Sequence, residues 1–318
     1  MLATDDLRAG FAVLQHGCGL VDRSEAGKLA LIGVDARSFL AGQVTNDTEA
    51  LVPGAGCYAA FLTPKGKMLG DLRILMVDDD ELLLLCERVA LQGLFDLIRR
   101  FKIGFAVELH KRTVQQGLLS LVGPEARAVA GARAAGLPEH EHANRRCDIG
   151  GAQVLVVATD VGVDVVCEAE EVDGVSAALA SAGAVPVVGE AAEALRVQRG
   201  RPRYGIDLDD TVIPQEAGLN ERAVSFTKGC YVGQETVARL FYRGKPNRHL
   251  RQLALEGPAV SGEEVLLGEK VVGRLGSVAE VPGAGWLGLA LVRREVDVGS
   301  PVVVGSGGVT AQVLELPQ

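Results

Sequence analysis

From Lys28 to Gly33 apolar residues follow one another at a length that suits a strand, and Asp35 then stands where it would cap a short helix through Phe39 and Leu40. Cys57 to Leu62 and Met68 to Val77 read as two strands joined by Thr63-Pro64-Lys65-Gly66-Lys67, a turn holding both Pro and Gly. The acidic run Asp78-Asp79-Asp80 is a solvated hairpin turn leading into the strand Glu81 to Cys86. Val89, Leu91, Leu94, Phe95 and Ile98 then recur at helical spacing, and Phe105 to Leu109 returns as a strand. This series predicts a small α+β sandwich. It roughly repeats in Gly117 to Val122, a helix from Pro124 to Ala135, strands at Val154 to Ala158 and Val163 to Cys167, and a helix from Val172 to Ala182. Two sheet-and-helix modules are therefore expected. After Gly244 the helical spacing disappears, and short Val/Leu-rich strands alternate with Gly and Pro, which favours a small all-β barrel. Gly283, Gly285 and Gly288 match G-x-G-x-x-G there, but they follow Pro282 and run into a strand. A dinucleotide site needs a strand before such glycines and a helix after them, so the match is accidental.

At 318 residues the chain is too long for one small core, and two or three domains are expected. A net charge of −9 argues against general binding to nucleic acid or to an anionic membrane, since both require a basic face. Two local basic clusters stand out: Arg196, Arg199, Arg201 and Arg203, then Arg239, Arg243, Lys245, Arg248 and Arg251. Such runs solvate a surface or hold the anionic tail of a ligand, where a guanidinium fork suits a carboxylate. Met1 to Asp6 has no basic start and no long apolar stretch, and the longest apolar runs fall far short of a membrane span, which predicts a cytoplasmic protein. Six cysteines, at 18, 57, 86, 147, 167 and 230, form no C-x-x-C pair and no metal spacing. His140 and His142 lie among alternating charges before Asn144-Arg145-Arg146, as in an exposed loop.

Lys228 to Glu235, KGCYVGQE, is the chemically densest stretch. An ammonium at Lys228 beside a thiol favours the reactive thiolate of Cys230, and Gly229 and Gly233 remove Cβ atoms on both sides, opening an approach to the sulfur. The same glycines also fit an ordinary turn around a small buried cysteine.

This run, preceded by Phe226 and continued by Thr236, Val237, Ala238 and Arg239, resembles the signature of the YgfZ family of folate-binding iron–sulfur assembly proteins, relatives of the glycine-cleavage T-protein, an aminomethyltransferase. Gly33-Val34-Asp35-Ala36, Phe39-Leu40 and Gln43 to Asp47 look like the opening of that superfamily. Gly66 to Leu72 is similar to its segment carrying a catalytic aspartate, and Arg196 to Gly205 with Pro214 to Leu219 repeats the spacing of its central region. The resemblance implies a T-protein-like α+β fold with two modules around a folate cavity plus a C-terminal β-barrel. It further implies a discontinuous folate-binding domain over 1–49 and 115–244, an inserted ferredoxin-like domain over 50–114, and the barrel over 245–318.

The implied cofactor is tetrahydrofolate or a one-carbon derivative, and the implied partners are iron–sulfur client or assembly proteins. A pterin presents a donor edge that a carboxylate or carboxamide binds and a ring that a tyrosine can face. Asn46, Asp71, Gln198 and Glu216 are the candidate polar contacts, and Tyr204 and Tyr231 the candidate ring neighbours. Cys230, Lys228 and Asp71 are the candidates for chemistry. Lys228, Gly229, Cys230, Tyr231, Gly233, Gln234, Glu235 and Arg239 make up the signature. An active aminomethyltransferase is the alternative implied by Asp71. Against it, the paired aspartates of that family are reduced to Gly70-Asp71, and its R-x-E-x-G appears as Arg196-Val197-Gln198-Arg199-Gly200. A cysteine-nucleophile enzyme pairing Cys230 with His249 is a third class.

Overall fold

The computed structural model describes residues 4–317. Two open sheets lie back to back. The first has six strands in the order Val185–Pro186, Gly19–Asp22, Gln116–Val122, Gly162–Glu168, Ala152–Thr159 and Asn144–Ile149. The second has five, in the order Gly56–Leu62, Met68–Asp78, Glu81–Cys86, Gly27–Ile32 and Glu108–Lys111. Alternate residues of one strand serve different cores. Leu83 and Leu85 meet Leu118, Leu155, Val157 and Val166 of the other sheet, while Leu82 and Leu84 turn to Phe39, Leu94 and Ile98 on the helices of their own module. Burial on both faces explains why Leu82 to Leu85 is apolar without alternation.

The six strands from Arg248–Leu255 to Val309–Leu314 close into a barrel around Leu253, Val265, Val292, Val304 and Val313. The α+β architecture with a C-terminal β-barrel is thus as expected. Gly283 and Gly285 have φ of 84° and 79° and make the hairpin turn between Lys270–Val281 and Gly285–Arg293, so the glycine motif bends a hairpin.

Several local expectations are corrected. The carboxylate of Asp35 caps no helix; it accepts the Ala106 backbone N–H at 2.7 Å and fixes the return of the chain to the second sheet. The helix expected from Pro124 to Ala135 is two short ones, Ala126–Val129 and Ala132–Ala135, because Gly131 between them takes φ of 94°. Gly27–Ile32 pairs with Glu81–Cys86 and Glu108–Lys111, so the second sheet starts well before residue 50: Leu29 and Leu31 fill its core. The helices Thr4–His16, Gly189–Gln198 and Gln234–Arg243 and the strand Asn144–Ile149 went unread.

Candidate functional site

A cavity of ≈ 650 Å³ opens where the two sheets, the helix Gly189–Gln198 and the segment Arg199 to Tyr204 meet. Its size suits a small-molecule site. Met68–Asp78 brings Asp71, Leu72 and Arg73 to its wall, and the two charged ones share one face of the strand by its two-residue period. Asp71 is 5% exposed and accepts the Tyr58 hydroxyl at 2.5 Å. Burial pushes its carboxyl up to about 6, against the Tyr58 hydrogen bond, which pulls it down.

The other buried carboxyl on this wall behaves oppositely. Asp164 accepts from Arg73 Nη1 and from Ser120 Oγ at 2.6 Å. Burial, the largest single influence, would raise it, but Arg73, Arg23 and the Ser120 hydrogen bond together outweigh burial and hold it below the ordinary range. Among the described residues, Asp71 has no ion-pair partner, whereas Asp164 is neutralised by Arg73.

Arginines and carboxylates interleave over the rest of the wall, and each arginine is oriented by an acid. Arg222 donates to Glu141 at 2.8 and 2.9 Å and lies over the Tyr58 ring. Arg201 donates to Asp160 at 2.8 Å, and Arg203 faces Glu193 at 3.0 Å. Arg196 is shared between Glu193, Asp207 and Ser277 of the barrel. Among the described residues, Arg73 Nε and Nη2, Arg199 Nε, Arg203 Nε and His142 Nδ1 are buried in this wall with no hydrogen-bond partner. Buried donors are ordinarily paired, so the four arginine nitrogens in one cavity wall mark places that a ligand or water completes.

Of the residues singled out in the sequence, Asp71 and Tyr204 line the cavity. Asn46 stands behind it, its amide donating to the carbonyls of Tyr58 at 2.9 Å and Arg222 at 3.5 Å, and so positions two wall residues. Gln198, at the end of its helix, does not line the cavity; Glu193, more than one turn earlier, does. Tyr231 is 8% exposed in an apolar cluster with Ala60, Leu62, Met68 and Val237, and does not line this cavity.

Glu216 is also placed elsewhere. It is buried, accepts from Arg248 Nε at 3.1 Å and Nη2 at 2.9 Å, and takes the Ile213 backbone N–H at 3.1 Å. It fastens the chain before the barrel to the first barrel strand. Glu216→Ala is expected to cost about 2 kcal/mol of stability and to leave ligand affinity as in the parent; thermal melts and calorimetry on one preparation check both halves.

The signature forms a joint outside the cavity. Lys228 Nζ donates to the carbonyls of Ala41 at 2.5 Å, Val44 at 2.7 Å and Asn46 at 3.0 Å, and burial draws its ammonium down to about 8. Its three donors are thus committed to backbone, and the thiol it acts on electrostatically is Cys57. Gly233 sits in the left-handed region with φ of 85°, and a Cβ there would stand 2.6 Å from the Thr63 carbonyl oxygen. Gln234 and Glu235 open the helix Gln234–Arg243, where an acid in the first turn suits the helix dipole, and Arg239 is exposed on it. Cys230 is exposed. His249 lies on the barrel strand Arg248–Leu255.

Sequence reasoning missed Tyr58, Arg73, Glu141, His142, Glu193 and Arg222. His142 is corrected from an exposed loop residue to a buried one, 7% exposed. Arg73 was foreshadowed by its two-residue spacing from Asp71, whereas Tyr58 sits unmarked on the strand Gly56–Leu62, Arg222 on the short helix Asn220–Ala223, Glu193 on a helix without a sharp apolar stripe, and Glu141 and His142 in a loop.

A mixed double-sheet body, a closed barrel and a polar cavity at their junction define the class of protein. Residues 3–228 match the GCVT N-terminal domain, and the chain belongs to that family. It is 29% identical over 312 residues to a candidate chloroplastic transferase of Arabidopsis thaliana, covering 94% of this chain and 71% of the relative. The glycine cleavage system aminomethyltransferase T from Bartonella henselae superposes with a TM-score of 0.85 at 21% identity, over 98% of this chain and 89% of that one. The fold is therefore T-protein-like.

Proposed function

We propose that the chain binds a reduced folate, tetrahydrofolate or a one-carbon derivative, in the central cavity and supports assembly or repair of iron–sulfur enzymes. The observation that carries the folate half is Asp71: among the described residues, a buried carboxylate with no ion-pair partner, in a cavity whose arginines are mostly engaged by other acids. A pterin edge offers neighbouring N–H donors to a carboxylate, and the acidic tail of a folate suits Arg199, Arg201 and Arg203. The Nε atoms of Arg199 and Arg203, which face Asp160 at 3.9 Å and Glu87 at 3.6 Å without hydrogen-bonding them, are consistent with that fit. Tyr204 supplies an aromatic face in the same cavity. A bound folate supplies a carrier for one-carbon units; the residues here bind and orient it. Native mass spectrometry of the chain purified without added ligand, followed by titration with tetrahydrofolate, tests the reading. A chain that carries no folate and binds none sinks it.

The iron–sulfur half rests on the signature and on the exposure of Cys230. Burial pushes the thiols of Cys18 and Cys167 up to about 11 and those of Cys57 and Cys86 up to about 12, and it also raises Cys147. Cys230 alone among the six is exposed. It is expected to alkylate first with a thiol reagent followed site by site by mass spectrometry. The functional counterpart is failure of Cys230→Ala to restore iron–sulfur enzyme activity in a YgfZ-deficient strain. Full restoration by a folded, soluble variant makes the thiol dispensable.

A further inference from the structure

Among the described residues, His142 is the non-glycine with positive φ, 71°, a conformation that side chains other than glycine avoid. Its neighbours hold it there. The His142 N–H donates to the Ala158 carbonyl at 2.9 Å, and its own carbonyl accepts from Asn144 Nδ2 at 3.2 Å. The same Asn144 amide reaches the carbonyl of Ala55, just before the strand Gly56–Leu62 of the second sheet, at 2.9 Å. Gly56 leaves the room: a Cβ there would lie 2.9 Å from His142 Cβ. Strain fixed from several sides, at a cavity wall, is where a functional side chain is found.

The ring is 93% removed from solvent in residue terms, being 7% exposed, and it lines the cavity. Nδ1 is sealed in the wall without a partner. An orphaned buried N–H is a worse loss than an orphaned acceptor, so the hydrogen of a neutral ring belongs on Nε2, the edge left for the cavity. The groups facing the ring are Arg73, Arg222, Asp164 and His140, with Glu141 next to it in the chain. Burial, then the two guanidiniums, pulls His142 down to about 3.

We propose that His142 is a specificity-determining contact of the cavity, a neutral Nε2–H donor aimed at an uncharged acceptor, a carbonyl oxygen or ring nitrogen, on the bound molecule. It complements Asp71, which takes donors, so together the two select a ligand that presents both. The folate reading enters only through the choice of tetrahydrofolate as the probe.

The test uses the full chain labelled with 15N-histidine, with His142→Asn identifying the signal, since asparagine tolerates the left-handed region. The expected spectrum shows an Nε2–H tautomer that does not titrate between about pH 5 and 8, where an ordinary histidine would. Its Nε2 resonance shifts when tetrahydrofolate is added. In calorimetry His142→Asn binds about tenfold more weakly, while its ligand-free melting temperature is unchanged or higher. An Nδ1–H tautomer, a titration in that range, or an unmoved Nε2 resonance in parent that calorimetry shows to be loaded overturns the proposal. A lowered melting temperature with unchanged affinity overturns it as well. If the parent binds no tetrahydrofolate, the folate reading falls alone, and the tautomer and its resistance to titration still decide His142.

Discussion

Asp71→Asn is expected to raise the melting temperature of the ligand-free protein at pH 7.5 while weakening tetrahydrofolate binding by about tenfold to a hundredfold. The affinity loss corresponds to about 1.5–3 kcal/mol for a hydrogen bond to a charged acceptor. The stability gain follows from linkage. A carboxyl that titrates near 6 in the folded chain and at 3.8 in the reference state holds its proton more tightly when folded. The folded state therefore loses stability as pH rises from 3.8 through about 6, by at most about 3 kcal/mol, and asparagine removes that loss. Asparagine still accepts the Tyr58 hydroxyl. Binding has the opposite slope: it strengthens as pH rises through about 6 and ionised Asp71 becomes available, and this slope vanishes in Asp71→Asn. Melts and titrations from pH 5 to about 8 read both. A parent whose affinity is flat over that range would remove Asp71 from the binding machinery.

The second large effect separates two glycines that the sequence presents as equals. Gly233→Ala is expected to cost about 3 kcal/mol, from a left-handed backbone angle and a Cβ driven into the Thr63 carbonyl. Gly229→Ala is expected to be silent within about 0.5 kcal/mol, because no atom lies within 4 Å of its Cβ position. On the facing hairpin, Gly66 has φ of 77° and room for a Cβ only 2.9 Å from that of Thr236, so the two turns interlock. Chemical denaturation of the two variants measures the contrast. Equal losses in both would mean that the loop is not seated on the Thr63 to Lys67 turn. Any loss of cellular function in Gly233→Ala must therefore be set against its folded fraction before it is assigned to chemistry at Cys230.

The fold was legible where pattern and packing coincide. Strands such as Met68–Asp78 and Glu81–Cys86 announce themselves because both faces are buried and the turns between them carry Pro, Gly or Asp. The barrel was legible from the loss of helical spacing. The helix Gln234–Arg243 was not, because Val237 is its one buried residue and its Phe241 and Tyr242 stay exposed. The site divided in the same way. Asp71 was found through resemblance, and its spacing to Arg73 is local. Glu193, Arg222 and His142 reach the cavity only through the meeting of segments distant in sequence, and no local pattern encodes that meeting. Glu216 and Tyr231 drew attention for real reasons, since both are buried and well connected, but buried polar and aromatic groups serve joints as readily as ligands.

The pairing order of the strands bears on how the chain folds as it leaves the ribosome. Every strand of the second sheet lies between Gly27 and Lys111, so that sheet can close early in synthesis. Gly19–Asp22, although made sooner, must wait for Gln116–Val122 and then for Val185–Pro186 before both of its edges are paired. Vectorial synthesis thus favours a nascent chain that completes its second module first and adds the first sheet around it, keeping the apolar face of Leu83 and Leu85 uncovered until Leu155 and Val166 arrive. A chaperone that acts on this chain would meet that leucine face during the interval.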